Sequence, residues 1–135
     1  MAVKMHLSFF IFATIGSMQL VSVSSTTHIV GDNLGWNVPN SPTFYKEWAQ
    51  NRTFVVGDVL LFQYNPGLNT VILVEKSDYD SCTTKKILHT YFRGNSSVTL
   101  DRVGDYYFFS SVGMHCEFGQ KLHVDVVAPS TISSH

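Results

Sequence analysis

One stretch near the C-terminal end constrains the fold most: Tyr106-Tyr107-Phe108-Phe109-Ser110-Ser111, then Val112-Gly113-Met114-His115-Cys116-Glu117-Phe118-Gly119, then Gln120-Lys121-Leu122. An aromatic β-prone run, a short glycine-punctuated loop and a second apolar run read as two strands joined by a loop that carries a histidine and a cysteine. The alternation over 121–126 predicts Leu122, Val124 and Val126 facing a core, with His123 and Asp125 facing solvent. A β domain that gathers His, Cys and a weak polar donor in one loop is built like a metal site, and metals discriminate sharply between donor types.

The upstream chain has the same texture. Residues 27–30 are rich in β-branched side chains and end at Gly31-Asp32-Asn33, and Trp36 is assigned to the core. Ser41 followed by Pro42 predicts a helix over about 42–49, with Phe44, Tyr45 and Trp48 at helical spacing forming a stripe against the β domain. Residues 54–64 are two apolar runs broken by Gly57-Asp58 and closed by the turn Asn65-Pro66-Gly67. Strands are then expected over 71–75, 87–92 and 97–100, with Asp78-Tyr79-Asp80-Ser81-Cys82 as a polar loop. Short strands, one helix and no internal repeat predict an all-β sandwich of Greek-key type.

The first 25 residues read as a secretory leader. Lys4 supplies the positive end, 7–21 is apolar, and Val23 and Ser25 occupy the −3 and −1 positions of a small-residue cleavage site. Ser17 and Gln19 interrupt the apolar run, which is short for a bilayer span. The expected layout is therefore a cleaved signal peptide over 1–25, a domain over 26–127 and a polar tail over 128–135. In that tail Ile132 is the only large apolar residue, so neither a membrane span nor a GPI signal is read.

An oxidising route bears on the two cysteines, Cys82 and Cys116, which are expected to pair rather than persist as two buried thiols. The closed loop would contribute ~3–4 kcal/mol in the chain-entropy treatment. Two sequons, Asn51-Arg52-Thr53 and Asn95-Ser96-Ser97, predict N-glycosylation on exposed turns. Nine Lys and Arg stand against ten Asp and Glu, one of the nine being Lys4, and no basic run exceeds Lys85-Lys86. That balance argues against nucleic acid and anionic membrane surfaces as partners.

Several runs together resemble the plant phytocyanins, secreted cupredoxins that include stellacyanins, plantacyanins, uclacyanins and early nodulin-like proteins. They are Val30-Gly31-Asp32 with Gly35-Trp36, Phe54-Val55-Val56-Gly57-Asp58, Asp78-Tyr79-Asp80-Ser81-Cys82, Gly104-Asp105-Tyr106-Tyr107-Phe108, and His115-Cys116 with Gly119-Gln120-Lys121-Leu122. The match spans about 27–126 in one order. The resemblance implies a cupredoxin sandwich of seven or eight strands with a Cys82–Cys116 disulfide. It also implies where a blue copper site would take two imidazoles, a thiolate and a weak axial donor. At those positions this chain has Asn69, Ser110, His115 and Gln120. Two strong ligands are absent, since a serine hydroxyl is too basic and too hard to replace a thiolate.

The resulting expectation is a copper-free, early nodulin-like protein that binds an extracellular carbohydrate, glycoprotein or receptor. Its binding rim is read as Phe109, Met114 and Phe118, and its state as monomeric. The location expected is the apoplast, or the outer face of the plasma membrane held by partners. The alternative is a copper or other metal protein of altered ligation at His115 and Gln120. Electron transfer through a blue site conflicts with the missing sulfur. His28, His89 and His123 read as surface or capped histidines. No enzyme is expected, because nothing places an acid or an oxyanion hole around Ser110, Ser111 and His115.

Overall fold

The computed structural model describes residues 24–130. The expected leader therefore lies outside the described residues except for Ser24 and Ser25, as does 131–135 of the tail. In chain order the elements are β1 (Thr27–Ile29), a 3-10 turn (Asp32–Leu34), α1 (Phe44–Gln50), β2 (Phe54–Val55), β3 (Val59–Phe62) and β4 (Val71–Val74), then α2 (Lys76–Ser81), β5 (Ile87–Tyr91), β6 (Ser96–Thr99), β7 (Gly104–Phe109) and β8 (Lys121–Val127). They form a three-stranded sheet, β1-β3-β6, and a five-stranded sheet, β2-β8-β7-β4-β5. Pairing is antiparallel except that β1 runs parallel to β3 and β2 parallel to β8. The chain thus crosses repeatedly between sheets, as a Greek-key sandwich requires.

Strand periodicity explains two separate apolar clusters. One face of each sheet supplies the main core: Leu60, Phe62 and Val98 from the smaller sheet, and Val71, Tyr106, Phe108, Leu122, Val124 and Val126 from the larger. Trp36, Tyr45 and Trp48 pack on that same core, so the aromatic stripe of α1 does what its spacing predicts. The alternate residues of β4 and β7 turn the other way. Ile72, Val74 and Phe109 join Cys116 in a second cluster packed by Tyr79, Cys82 and Tyr107. The β8 alternation holds, with Leu122, Val124 and Val126 buried and His123 and Asp125 exposed.

Three sequence expectations change. The first helix begins at Phe44 rather than Pro42, and its N-cap is Thr43, with no side-chain cap bond. Ser41 instead bonds Thr43 within the preceding turn. The polar loop before Cys82 is a second short helix, α2. Its Asp78 side chain accepts from Thr83 Oγ1 and from the Lys85 and Lys86 amides, fixing the exit from the helix. Phe109 is 1% exposed and cannot form a rim, because its strand register points it under α2. Of the two alternatives read for His28, surface or capped, the structure shows the capped one: it is buried and bonded to Asp58 at 2.9 Å.

Candidate functional site

The loop between β7 and β8 folds as consecutive tight turns. His115 N–H donates to Val112 O, Phe118 N–H to Met114 O, Gly119 N–H to Cys116 O and Gln120 N–H to His115 O, all within 2.9–3.0 Å. Ser110 N–H closes the loop by donating to Gln120 O at 3.1 Å. A Cβ on Gly119 would lie 2.6 Å from Pro42 Cα, so only glycine lets the loop seat against the segment before α1. The Cys82–Cys116 disulfide ties the loop to the end of α2. This geometry buries Cys116 and Gln120, half-buries His115, and leaves Met114 and Phe118 exposed.

The segment entering β4 meets this loop side-on. Thr70 N–H donates to Ser110 Oγ at 3.3 Å, Ser111 N–H donates to Thr70 Oγ1 at 2.8 Å, and the Thr70 and Ser111 hydroxyls lie 2.7 Å apart. The Thr70 carbonyl accepts from the Trp36 indole at 2.8 Å. Beside Thr70, Asn69 is buried and its Oδ1 lies 3.2 Å from His115 Nδ1.

A directed chain of hydrogen bonds fixes the polarity of that last contact. Asn37 Nδ2 donates to the Leu34 carbonyl at 2.8 Å, which turns Asn37 Oδ1 toward Asn69. Asn69 Nδ2 donates to that oxygen at 3.3 Å, which turns Asn69 Oδ1 toward His115. A carbonyl oxygen only accepts, so the proton of neutral His115 belongs on Nδ1 and the lone pair on Nε2. The Asn37 loop is held in turn by Tyr45 of α1, whose hydroxyl donates to Gly35 O at 2.6 Å and accepts from Asn37 N–H at 2.9 Å. Burial pushes the Tyr45 phenol up to about 12.

Chemically this is a cluster of uncharged amide and hydroxyl side chains around one imidazole. No carboxylate is bonded to His115 among the described residues, and Ser110 Oγ is buried and accepts from an amide, so the pieces do not assemble a nucleophile and base. As a blue copper site the donor set does not fit: Ser110 offers no sulfur, Asn69 offers no imidazole, and Nδ1 of His115 is engaged by Asn69 Oδ1 at 3.2 Å. Gln120 is the exception. Its side chain is fully buried and neither Oε1 nor Nε2 has a hydrogen-bond partner among the described residues. The sulfurs of Cys82 and Cys116 lie with Glu117 in a close group, but both are committed to the disulfide.

Of the residues singled out in the sequence, the structure brings together Asn69, Ser110, His115 and Gln120, with Met114 and Phe118 beside them. It sends Phe109 elsewhere. Sequence reasoning missed Asn37 and Thr70, whose partners lie 32 and 40 or 41 positions away. Asn51 and Asn95 are both exposed, the first at the end of α1 and the second in the turn before β6.

The profile of the plastocyanin-like domain matches residues 36–120. Cucumber peeling cupredoxin of Cucumis sativus is 43% identical over 112 residues, covering 82% of each chain. Early nodulin-like protein 14 of Arabidopsis thaliana is 39% identical, the match covering 88% of this chain and 65% of that one. Among solved structures, cucumber stellacyanin with Cu2+ aligns with a TM-score of 0.73 at 41% identity, over 80% of this chain and 100% of that one. A chain with this sandwich, this disulfide and these matches belongs to the plastocyanin-like domain family, as a phytocyanin of the cupredoxin fold.

Proposed function

We propose that this phytocyanin is a secreted, copper-free protein of the early nodulin-like kind that acts by extracellular binding. The ligand class is a cell-wall carbohydrate, a glycoprotein or a receptor. The observation that carries this reading is the Asn37–Asn69–His115 chain, which engages the imidazole nitrogen that faces the site in a protein hydrogen bond. Ser110, at the position of the thiolate in copper-binding members, is likewise engaged by Thr70. The site is thus a recognition surface of amides, hydroxyls and one imidazole. Met114 at 55% exposure and Phe118 at 56% offer apolar contact on the same loop.

Secretion is supported by the leader pattern and by the disulfide, which is at home in an oxidising compartment. The exposed sequons at Asn51 and Asn95 agree with it. No helix among the described residues is long and apolar enough to cross a membrane. We place the protein in the apoplast, or peripherally at the outer plasma-membrane face, as a monomer without enzymatic activity.

The deciding experiment adds Cu(II) to the purified mature protein and records visible absorption, EPR and metal stoichiometry. Absence of stoichiometric copper supports the binding reading, and an intense blue band overturns it. The unpartnered amide of Gln120 favours one second reading, a non-blue metal held by His115 and Gln120. A stoichiometric, nearly colourless type 2 signal would select that one.

A further inference from the structure

Away from this site, the buried carboxylate of Asp58 has no Lys or Arg side chain paired with it among the described residues, and its one side-chain partner is the His28 imidazole. Asp58 is 1% exposed, in the turn between β2 and β3. Oδ2 accepts from His28 Nε2 at 2.9 Å and from Val55 N–H at 3.1 Å, and Oδ1 accepts from Thr26 N–H at 2.9 Å. The other ring nitrogen of His28, Nδ1, faces a guanidinium nitrogen of Arg52 at 3.3 Å. A guanidinium only donates, so Nδ1 accepts, Nε2 carries the proton, and His28 is neutral. Arg52 directs its other nitrogen to Asp32 at 2.7 Å. Asp58 therefore keeps a full negative charge in an interior where unpaired charge is costly.

The donor on its remaining oxygen is a backbone nitrogen. Thr26 immediately precedes β1, its carbonyl accepts from Val59 N–H at 2.9 Å, and the leader pattern puts cleavage directly before it. We propose that Thr26 is the mature N-terminus and that the α-ammonium released by processing is the counter-ion of Asp58.

The step is hydrolysis of the Ser25–Thr26 peptide bond by a leader-removing endoprotease. The oxygen of one water enters the Ser25 carboxylate, which leaves with the leader, and its two hydrogens end on the Thr26 nitrogen as –NH3+. The hydrogen bond from a neutral amide to the Asp58 carboxylate becomes an ion pair in which donor and acceptor are both charged. β1 is the edge of the three-stranded sheet, so processing pins that edge to the β2–β3 turn. The inference rests on the secretory reading only in needing such a protease.

The N-terminus of the secreted protein should be Thr26 by mass spectrometry. Secretion with another start overturns the pairing but leaves the secretory reading standing, whereas a retained, uncleaved chain overturns both. Independently, a chain released from a cleavable tag to begin at Thr26 is labelled by reductive 13C-methylation and titrated by NMR. Its α-amine should titrate about one pH unit or more above the ordinary range of about 7.7–8.0. The elevation should vanish in Asp58→Asn. Should that variant not fold, a chain with one glycine added before Thr26 keeps Asp58 and should lose the elevation equally. An ordinary value in the chain beginning at Thr26, or an unchanged elevation in the glycine-extended chain, overturns the pairing.

Discussion

Asn69 Oδ1 and His115 Nδ1 lie 3.2 Å apart, so the two residues that the resemblance puts at the imidazole positions of a blue site are here bonded to each other. The orientation follows from the Leu34 carbonyl through Asn37 and Asn69. In 15N NMR the neutral form of His115 should therefore show the Nδ1–H tautomer. Asn69→Leu removes the acceptor, and the tautomer signature should change. The lost hydrogen bond should cost about 0.5–1.5 kcal/mol in denaturant unfolding.

Restoring the ligands tests whether the scaffold keeps its shape for them. Asn69→His combined with Ser110→Cys supplies an imidazole and a thiolate, the soft donor on which blue sites depend. The Thr70 N–H that reaches Ser110 Oγ is placed to serve a sulfur there. Cys82 and Cys116 are bonded to each other, which leaves the new thiol free. The double variant should bind one copper and turn blue, and each single variant should not. Visible absorption during Cu(II) titration reads the result.

Gln120 offers a sharper discrimination. Its amide is fully buried with no partner for either polar atom among the described residues, and such groups cost about 1–3 kcal/mol. Gln120→Leu should leave stability unchanged or raise it by about 1 kcal/mol if the site works without metal. Loss of a type 2 EPR signal in the same variant would instead assign Gln120 to metal.

Much of this was legible in the chain itself. The β8 alternation named its buried residues correctly because a strand with one wet face has period two. The cysteine pair followed from having two cysteines and an oxidising route. Phe109 was misassigned because β7 is covered on both sides, so adjacency to Ser110 in sequence says nothing about which face is open. The α2 helix was missed because Lys76–Ser81 is polar and short, held by Asp78 contacts to residues beyond the helix. Asn37 and Thr70 carry no local signal at all, since their roles exist only once distant loops meet.

Stability should fall at both ends of the pH scale, for different residues. Hydrogen bonds from Thr83 and from the Lys86 and Lys85 amides hold Asp78 below the ordinary 3.8. At Asp58 burial pushes upward, but bonds from His28, Thr26 and Val55 outweigh it and the net shift is also downward. A carboxylate depressed in the folded state stabilises fully above 3.8, and that contribution disappears as pH falls through the folded value. Burial raises Tyr45 and Tyr79 from 10.0 to about 12, so their neutral forms stabilise below pH 10 and are lost as pH climbs toward 12. The thermal midpoint should be lower at both extremes, with Asp78→Asn flattening the acid limb and Tyr45→Phe the alkaline one.

Phe109 and Phe118 separate folding from recognition. Phe109 lies against Ile72, Val74 and Cys116, so Phe109→Ala should open a cavity and cost about 3–5 kcal/mol. Phe118 is 56% exposed on the site loop, and its backbone N–H to Met114 O survives truncation. Phe118→Ala should therefore shift the unfolding midpoint little, within about 0.5 kcal/mol, as surface changes do. The same holds for Met114→Ser, because Met114 is equally exposed. If the apolar contacts of this loop hold the extracellular ligand, both variants should weaken capture in a glycan array or cell-wall pull-down while the disulfide and the fold persist. Binding that survives Phe118→Ala and Met114→Ser together would remove the loop from the recognition surface and leave the amide–imidazole chain as a purely structural substitute for the lost ligands.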